Sequence, residues 1–349
     1  MDHIDVSIIG AGAVGISLAN ALIRAHISVE LVVRPERFTL LSQRGLWLKQ
    51  VGTAATIVNA PLTTCVNDST KLIILTPKTF ALRDAIKGFC AHRDAETTVL
   101  AVQNGINSDA LLHRLAPRVS AWGAVAIFTA TSLHPGEVEL HLQLNKKPTL
   151  VIGVADGQIL TLMRTPAWQL LSRALKLVPT SSLEGARFTK LLVNLNNGLL
   201  AATRLPAQQF YTHPQGLLLS LEILREGLWV QKATQVKLAK IPTVSPFFLQ
   251  MLMQLPEKIA LALLKRRIRK MLISGFVTYG STLQSLLRGE PTEIDDLNGE
   301  IVRMARSYNI ATPLNDAVVA AVKAQGRGES PTTIDALASL TKKSFLRNS

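Results

Sequence analysis

The stretch DVSIIGAGAVGISLANALIRAHISVELVVRP, residues 5–35, decides the fold. Val6, Ile8 and Ile9 form a short apolar run that predicts a strand. Gly10, Gly12 and Gly15 follow in G-x-G-x-x-G spacing. Val14, Leu18, Leu22 and Ile23 then keep helical spacing, and Val29 to Val33 reads as a second strand. A glycine turn between a strand and a helix, inside a βαβ unit, is a dinucleotide-binding arrangement. Gly10 permits the tight turn, Gly12 lets backbone approach a pyrophosphate, and Gly15 lets the helix pack close to the strand. The helix start offers free N–H groups and the positive end of its dipole to the phosphates. The whole loop, Gly10, Ala11, Gly12, Ala13, Val14 and Gly15, is expected to hold the cofactor.

The end of the second strand indicates which cofactor. An NAD site places an acid there to grip the ribose 2′-hydroxyl. Here that place is taken by Val33, with Arg34 next. Glu30 falls mid-strand, too early to reach a ribose. An arginine without the acid favours a 2′-phosphate, hence NADPH/NADP+, with Arg37 as a second contact. The plainer alternative makes Arg34 a solvated strand-end charge.

Further strands follow at the intervals a doubly wound sheet needs. KLIILTPK (71–78) ends in Lys78, and TTVLAVQNG (97–105) ends in Gln103-Asn104-Gly105. Ligands bind beyond the carboxyl ends of such strands, where both Lys78 and Asn104 lie. Asn104-Gly105 taken alone is also a common turn. From Trp122 to Gly153, short strands around a Pro135-Gly136 turn predict an antiparallel continuation of the sheet.

The 349 residues suffice for two domains, and 48% hydrophobic residues with a mean hydropathy of +0.25 exclude a disordered chain. The net charge of +14 fits nucleic acid, an anionic membrane or a small anionic ligand. No nucleic-acid motif appears, so the small ligand is preferred and no nucleic acid is expected. No apolar run reaches spanning length, and no secretory signal is read at the N-terminus. Two cysteines, Cys65 and Cys90, without a CxxC pair fit a reducing cytoplasm. No metal site is expected.

Beyond about residue 180 helical periodicity takes over. The expected architecture is α/β: a Rossmann-type doubly wound sheet domain (1–181) followed by an all-helical domain (182–349). In the second, ARFTKLLVNLNNGLL (186–200) sets Lys190, Asn194 and Asn197 on one face of an otherwise apolar helix. Buried polar groups need partners. Spacing alone does not decide between neighbouring loops and a ligand. Downstream, Ser281-Thr282 and Pro291-Thr292-Glu293-Ile294-Asp295 form a second polar cluster. Thr292 or a nearby acid is expected to cap the following helix, and Glu293 to offer Lys190 a carboxylate.

GAGAVG (10–15), QNG (103–105), KLLVNLNN (190–197) and STLQSLLRGEPTEIDDLNG (281–299) together resemble the ketopantoate reductases, the 2-dehydropantoate 2-reductases. The resemblance runs from about residue 4 to about 325. It implies NADPH-dependent reduction of 2-dehydropantoate to (R)-pantoate, on the route to pantothenate and coenzyme A, with a small-molecule 2-oxo acid as partner. By resemblance Lys190 is the catalytic proton donor and Glu293 a catalytic residue near the lysine and the cofactor ribose. Asn104 lies near nicotinamide and substrate, while Asn194 and Ser281 bind the substrate. Asn197 and Gly198 stand where some members carry a second asparagine. Lys78 and the backbone of Ala130 contact the cofactor. The chemistry is coherent in itself: a positioned ammonium stabilises the oxyanion that hydride attack creates and donates its proton. The polar helix face is then the substrate wall of an interdomain cleft.

The chain also departs from the family pattern. Gly198, the stretch Arg204-Leu205-Pro206-Ala207-Gln208, Thr278 and Ser285 stand where members carry asparagine or aspartate, on the side expected to read the substrate's hydroxyl end. That leaves open another 2-oxo acid on the same scaffold, or an NADPH-binding protein without turnover. Residues 245–275 add a basic amphipathic segment. Its apolar stripe, Leu261, Leu264, Ile268 and Met271, is expected to pack on its own domain or on a twin subunit, which leaves a homodimer open. Docking on an anionic membrane is the lesser reading. Residues after about 325 read as a polar tail.

Overall fold

The computed structural model describes residues 3–154, 158–272 and 276–344. They form two compact units, Met1–Arg187 and Phe188–Ser349.

The first unit runs β1 (Val6–Ile9), α1 (Ala13–Ile23), β2 (Val29–Val32), α2 (Pro35–Arg44), β3 (Trp47–Val51), β4 (Thr56–Ile57), β5 (Leu62–Thr63) and β6 (Leu72–Leu75). It continues with α3 (Thr79–Phe89), β7 (Thr98–Ala101), α4 (Ser108–Leu115), β8 (Ser120–Ala126), β9 (Ala130–Thr131) and β10 (Glu137–Gln143). Then come β11 (Thr149–Gly153), α5 (Ile159–Arg164), α6 (Pro166–Ala174) and β12 (Lys176–Pro179). The main sheet has the order β12-β11-β8-β7-β6-β1-β2-β5. Its strands are parallel from β8 to β5, and β11 joins β8 antiparallel. Helices cover both faces, so the central strands are buried throughout and their sequences read as apolar runs. Each fully buried Ile or Leu among them contributes roughly 1.5–3 kcal/mol. The strand order reverses between β1 and β6, the place where α/β sheets open a ligand crevice.

The antiparallel continuation is only half realised. The β8–β11 pair is antiparallel, but β10 leaves the main sheet. It pairs parallel with β3 and antiparallel with β9 in a separate four-stranded sheet, β4-β3-β10-β9. Glu30, the mid-strand acid, is buried in β2. It accepts hydrogen bonds from the Ser7 hydroxyl and the Asn67 N–H. Cys90 is buried, which pushes its thiol up to about 12, whereas Cys65 is exposed.

The second unit is helical. Helix α7 (Leu183–Thr203) begins in the first unit and continues into the second. It is followed by α8 (Ala207–Phe210), α9 (Gly216–Thr234), α10 (Pro246–Gln254), α11 (Glu257–Met271), α12 (Ser281–Leu287), α13 (Asn298–Ser307), α14 (Pro313–Gly326) and α15 (Ile334–Ser344). Gly227 lets α9 approach α7: a Cβ there would stand 2.7 Å from Leu192 and Leu195. Around α9 pack α10, α11, α13, α14 and α15.

Two sequence expectations change here, and a third is narrowed. The tail after 325 is not a polar extension, because α15 buries Ile334, Leu337 and Ala338, and Thr332 N–H donates to Ala202 O at 3.0 Å. Residues 345–349 of that tail and the side chains of 341–344 lie outside the description. Thr292 caps no helix: a 3₁₀ turn, Ile294–Asp296, intervenes, and α13 starts after Leu297 without a side-chain cap. The apolar stripe of α11 packs within its own unit, burying Ala260, Leu264 and Ile268 on the α9 side. Residues 273–275 of that segment and the side chain of Met271 lie outside the description. No helix among the described residues is long and apolar enough to cross a membrane.

Candidate active site

The glycine loop has the geometry that its three roles require. Gly10 has φ +105°, a left-handed value that favours glycine, and its N–H donates to Val32 O at 2.9 Å. A Cβ at Gly15 would lie 1.9 Å from Gly10 O, so only glycine lets α1 sit this close. A Cβ at Gly12 would meet nothing within 4 Å: the space beside the start of α1 is open. Open space at Gly12, with the first N–H groups of α1 at Ala13 and Val14, fits a pyrophosphate.

Thr76, missed in the sequence reading, closes this loop onto β6. Its hydroxyl lies 2.9 Å from both Ile9 O and Gly10 O. Two residues on, Lys78 stands at the amino end of α3 with Nζ 5.9 Å from the Phe80 ring centre. Gln103 then bridges β7 to β6, its Nε2 donating to Leu75 O at 2.7 Å and Pro77 O at 3.2 Å. Asn104 follows directly, half-buried. Thus Gly10–Gly15, Lys78 and Asn104 are gathered at the carboxyl ends of β1, β6 and β7. Ala130 lies on β9, which packs against α1. Arg34 is exposed just past β2, where Glu30 is already engaged by Ser7 and Asn67.

Arg187 was also missed. It is 2% exposed and pairs with Asp109 through Nε–Oδ2 and Nη2–Oδ1, both 2.6 Å. Its other donors go to main-chain oxygens of Ala101, Gln103 and Gly105. No local pattern announces a pairing across 78 positions. Only the oddity of an arginine amid apolar helix residues hinted at it.

In the second unit α7 carries Lys190, half-buried, with Asn194 buried one turn on. Burial alone pushes the Lys190 ammonium down to about 8. The carboxylate that the sequence suggested for it does not offset this shift. Glu293 is itself buried, just before the 3₁₀ turn. Asn197 Nδ2 donates to Ser281 Oγ at 3.3 Å, at the first residue of α12. Gly280 makes that approach possible, since a Cβ there would stand 2.9 Å from Asn197 Oδ1. Gly198 points elsewhere. A Cβ on it would press on Asn298 Oδ1 at 2.4 Å and on Val318, so this position serves interior packing. The other departures from the family pattern are bonded internally. Gln208 donates to Phe276 O at 2.9 Å and accepts from Thr278 N at 3.0 Å, and the Ser285 hydroxyl donates to Ser281 O at 3.1 Å.

Both parts of the chain match a known family. Residues 6–157 match the family model described as ketopantoate reductase PanE/ApbA, and residues 182–326 match its C-terminal counterpart. The chain is 26% identical over 325 residues to a 2-dehydropantoate 2-reductase of Pyrococcus horikoshii, covering 92% of this chain and 97% of that one. Among solved structures, a PanE/ApbA family ketopantoate reductase from Ralstonia eutropha JMP134 has a TM-score of 0.71 at 25% identity, covering 93% and 99% of the two chains. A D-mandelate dehydrogenase solved with NADH and anilino(oxo)acetate shares the fold, with a TM-score of 0.75 at 21% identity over 93% and 99%. With both halves matched by its models, the chain belongs to the ketopantoate reductase PanE/ApbA family.

Proposed function

We propose that this chain is an NADPH-dependent reductase of a 2-oxo acid, with 2-dehydropantoate as substrate and (R)-pantoate as product. Residues 1–181 hold the cofactor and residues 182–349 supply the substrate and catalytic groups. Gly10–Gly15 take the pyrophosphate, Arg34 the 2′-phosphate, and Lys78, Asn104, Ala130 and Glu293 the remaining cofactor contacts. The bound nicotinamide supplies a hydride for the ketone carbon. Lys190 stabilises the charge that grows on the ketone oxygen and donates the proton. An ammonium pushed down to about 8 is well matched to give up a proton near neutral pH. Asn194, Asn197 and Ser281 orient the acid.

The observation that carries this reading is the Asn197–Ser281 bond on the same helix face as Lys190. Two polar groups from separate sequence regions meet on the face of α7 that also carries the candidate proton donor. The test is a panel of 2-oxo acids offered with NADPH and NADH, followed at the reduced-nicotinamide absorbance band. Turnover of 2-dehydropantoate with NADPH is the expected result. Absence of turnover with every acid ends the proposal.

A second reading rests on a specific observation. Gln208, Thr278 and Ser285 spend their polar groups on one another or on the main chain. Those positions are then poor readers of a substrate hydroxyl. This favours a 2-oxo acid with a less polar side chain, which the same panel separates from 2-dehydropantoate.

A further inference from the structure

We infer that Arg187 is a positioning residue for Asn104, acting through the main chain on either side of it; the kinetic part of this inference rests on the reductase reading above. A guanidinium has five N–H donors, and Arg187 places all of them. Nε and one Nη2 hydrogen take the two oxygens of Asp109 at 2.6 Å. The second Nη2 hydrogen reaches Ala101 O at 3.3 Å, at the end of β7. Nη1 donates to Gln103 O at 2.8 Å and Gly105 O at 3.4 Å. A single nitrogen therefore grips the carbonyls immediately before and after Asn104.

The surroundings are shaped to this grip. Gly105 has φ +84°, so the turn folds its carbonyl back in a way that residues with a Cβ resist. Gly123 on β8 clears room for Asp109 and for Leu183 of α7: a Cβ there would lie 2.4 Å from Asp109 Oδ1 and 2.3 Å from Leu183 Cδ2. Burying an ion pair gains little stability over an apolar pair of similar volume. Its distinctive gain is geometric, because a bidentate arginine fixes both distance and orientation. The group so fixed is the turn that presents Asn104. Lys190 lies on the same helix, three residues after Arg187.

The test uses the full chain with Arg187→Lys, Asp109→Asn and Gly123→Ala. The first keeps the charge but cannot make five directed bonds. The last presses on Asp109, and on Leu183 at the start of the same helix, while Arg187 and Asn104 keep their identities. Amide hydrogen exchange at residues 103–107 is expected to speed up ~10-fold or more in each variant, while β1 and β2 exchange as in the wild type. The kcat for oxo-acid reduction is expected to fall ~30-fold in Arg187→Lys, yet less than ~3-fold when the change is made in an Asn104→Ala background. Equal losses in both backgrounds, or unchanged exchange at 103–107, overturn the inference. Should Arg187→Lys not fold, Asp109→Asn and Gly123→Ala decide by the same two measurements. If the wild type reduces no 2-oxo acid, the functional reading fails, and the exchange measurement alone then decides on the anchor.

Discussion

Asn197 and Ser281, 84 residues apart, meet through an Nδ2–Oγ hydrogen bond of 3.3 Å, with glycine at position 280 to let the chains approach. Two groups that hold one another also hold each other's orientation toward a ligand. Asn197→Ala and Ser281→Ala are each expected to raise the KM for the oxo acid ~10-fold, and the double variant to raise it by clearly less than the product. Steady-state kinetics on the three variants checks this. Fully multiplicative effects would separate the two residues functionally.

Lys190 carries a stability penalty that its chemistry requires. Burial lowers its pKa from the ordinary 10.5 to about 8, so the folded state disfavours the charged form. The penalty is fully present below about pH 8 and is relieved as pH rises toward 10.5, where the unfolded chain also loses the proton. Lys190→Met is therefore expected to raise Tm by a few degrees at neutral pH, an advantage that shrinks above pH 8, while kcat drops ~100-fold or more. Wild-type reduction should decline above about pH 8 as the donor loses its proton. A variant that keeps its turnover removes Lys190 from the chemistry.

What the sequence disclosed and what it concealed divide along physical lines. The glycine loop, the parallel strands and the polar face of α7 are local patterns, written in spacing, and could be read directly. Arg187–Asp109 and Thr76–Gly10 are long-range pairings that no local period encodes. Gly198 is ambiguous in the sequence because a helical glycine can face either a ligand or a packed neighbour. In the fold, the direction of its missing Cβ is taken by Asn298 and Val318. The β10 excursion was missed for a related reason: strand propensity says nothing about which sheet a strand will join.

Arg34 is exposed just past the end of β2, and Glu30, the acid within that strand, is held by Ser7 and Asn67. Charge-assisted contacts to a phosphate contribute about 1.5–3 kcal/mol, roughly ten- to a hundred-fold in binding. Arg34→Asp should lower the ratio of kcat/KM with NADPH to that with NADH by at least the smaller factor. An unchanged ratio would place the 2′-phosphate contact elsewhere, with Arg37 the next residue to test.

Glu226 supplies a helix cap from another helix. Helix α14 begins with Pro313, and its next two N–H groups, on Leu314 and Asn315, donate to Glu226 Oε1 and Oε2 at 2.8 and 2.9 Å. Asn315 Nδ2 adds a third bond at 2.7 Å, and Asn315 Oδ1 in turn accepts from Asn298 Nδ2 at 2.9 Å. Burial pushes this carboxyl up to about 7; the N–H donors oppose the rise and the charge of Asp316 adds to it. An acid whose pKa is higher in the folded state takes up a proton on folding between its two values. Its contribution to stability then falls as pH rises from about 4.5 to about 7. Glu226→Gln cannot titrate and offers one acceptor oxygen where the carboxylate offers two, so it should unfold more easily in urea by about 1–3 kcal/mol. The wild type's margin over it should narrow as pH is raised across that window. A margin independent of pH would show that the carboxylate stays ionised in the folded protein, held by its three donors against the burial that works to neutralise it.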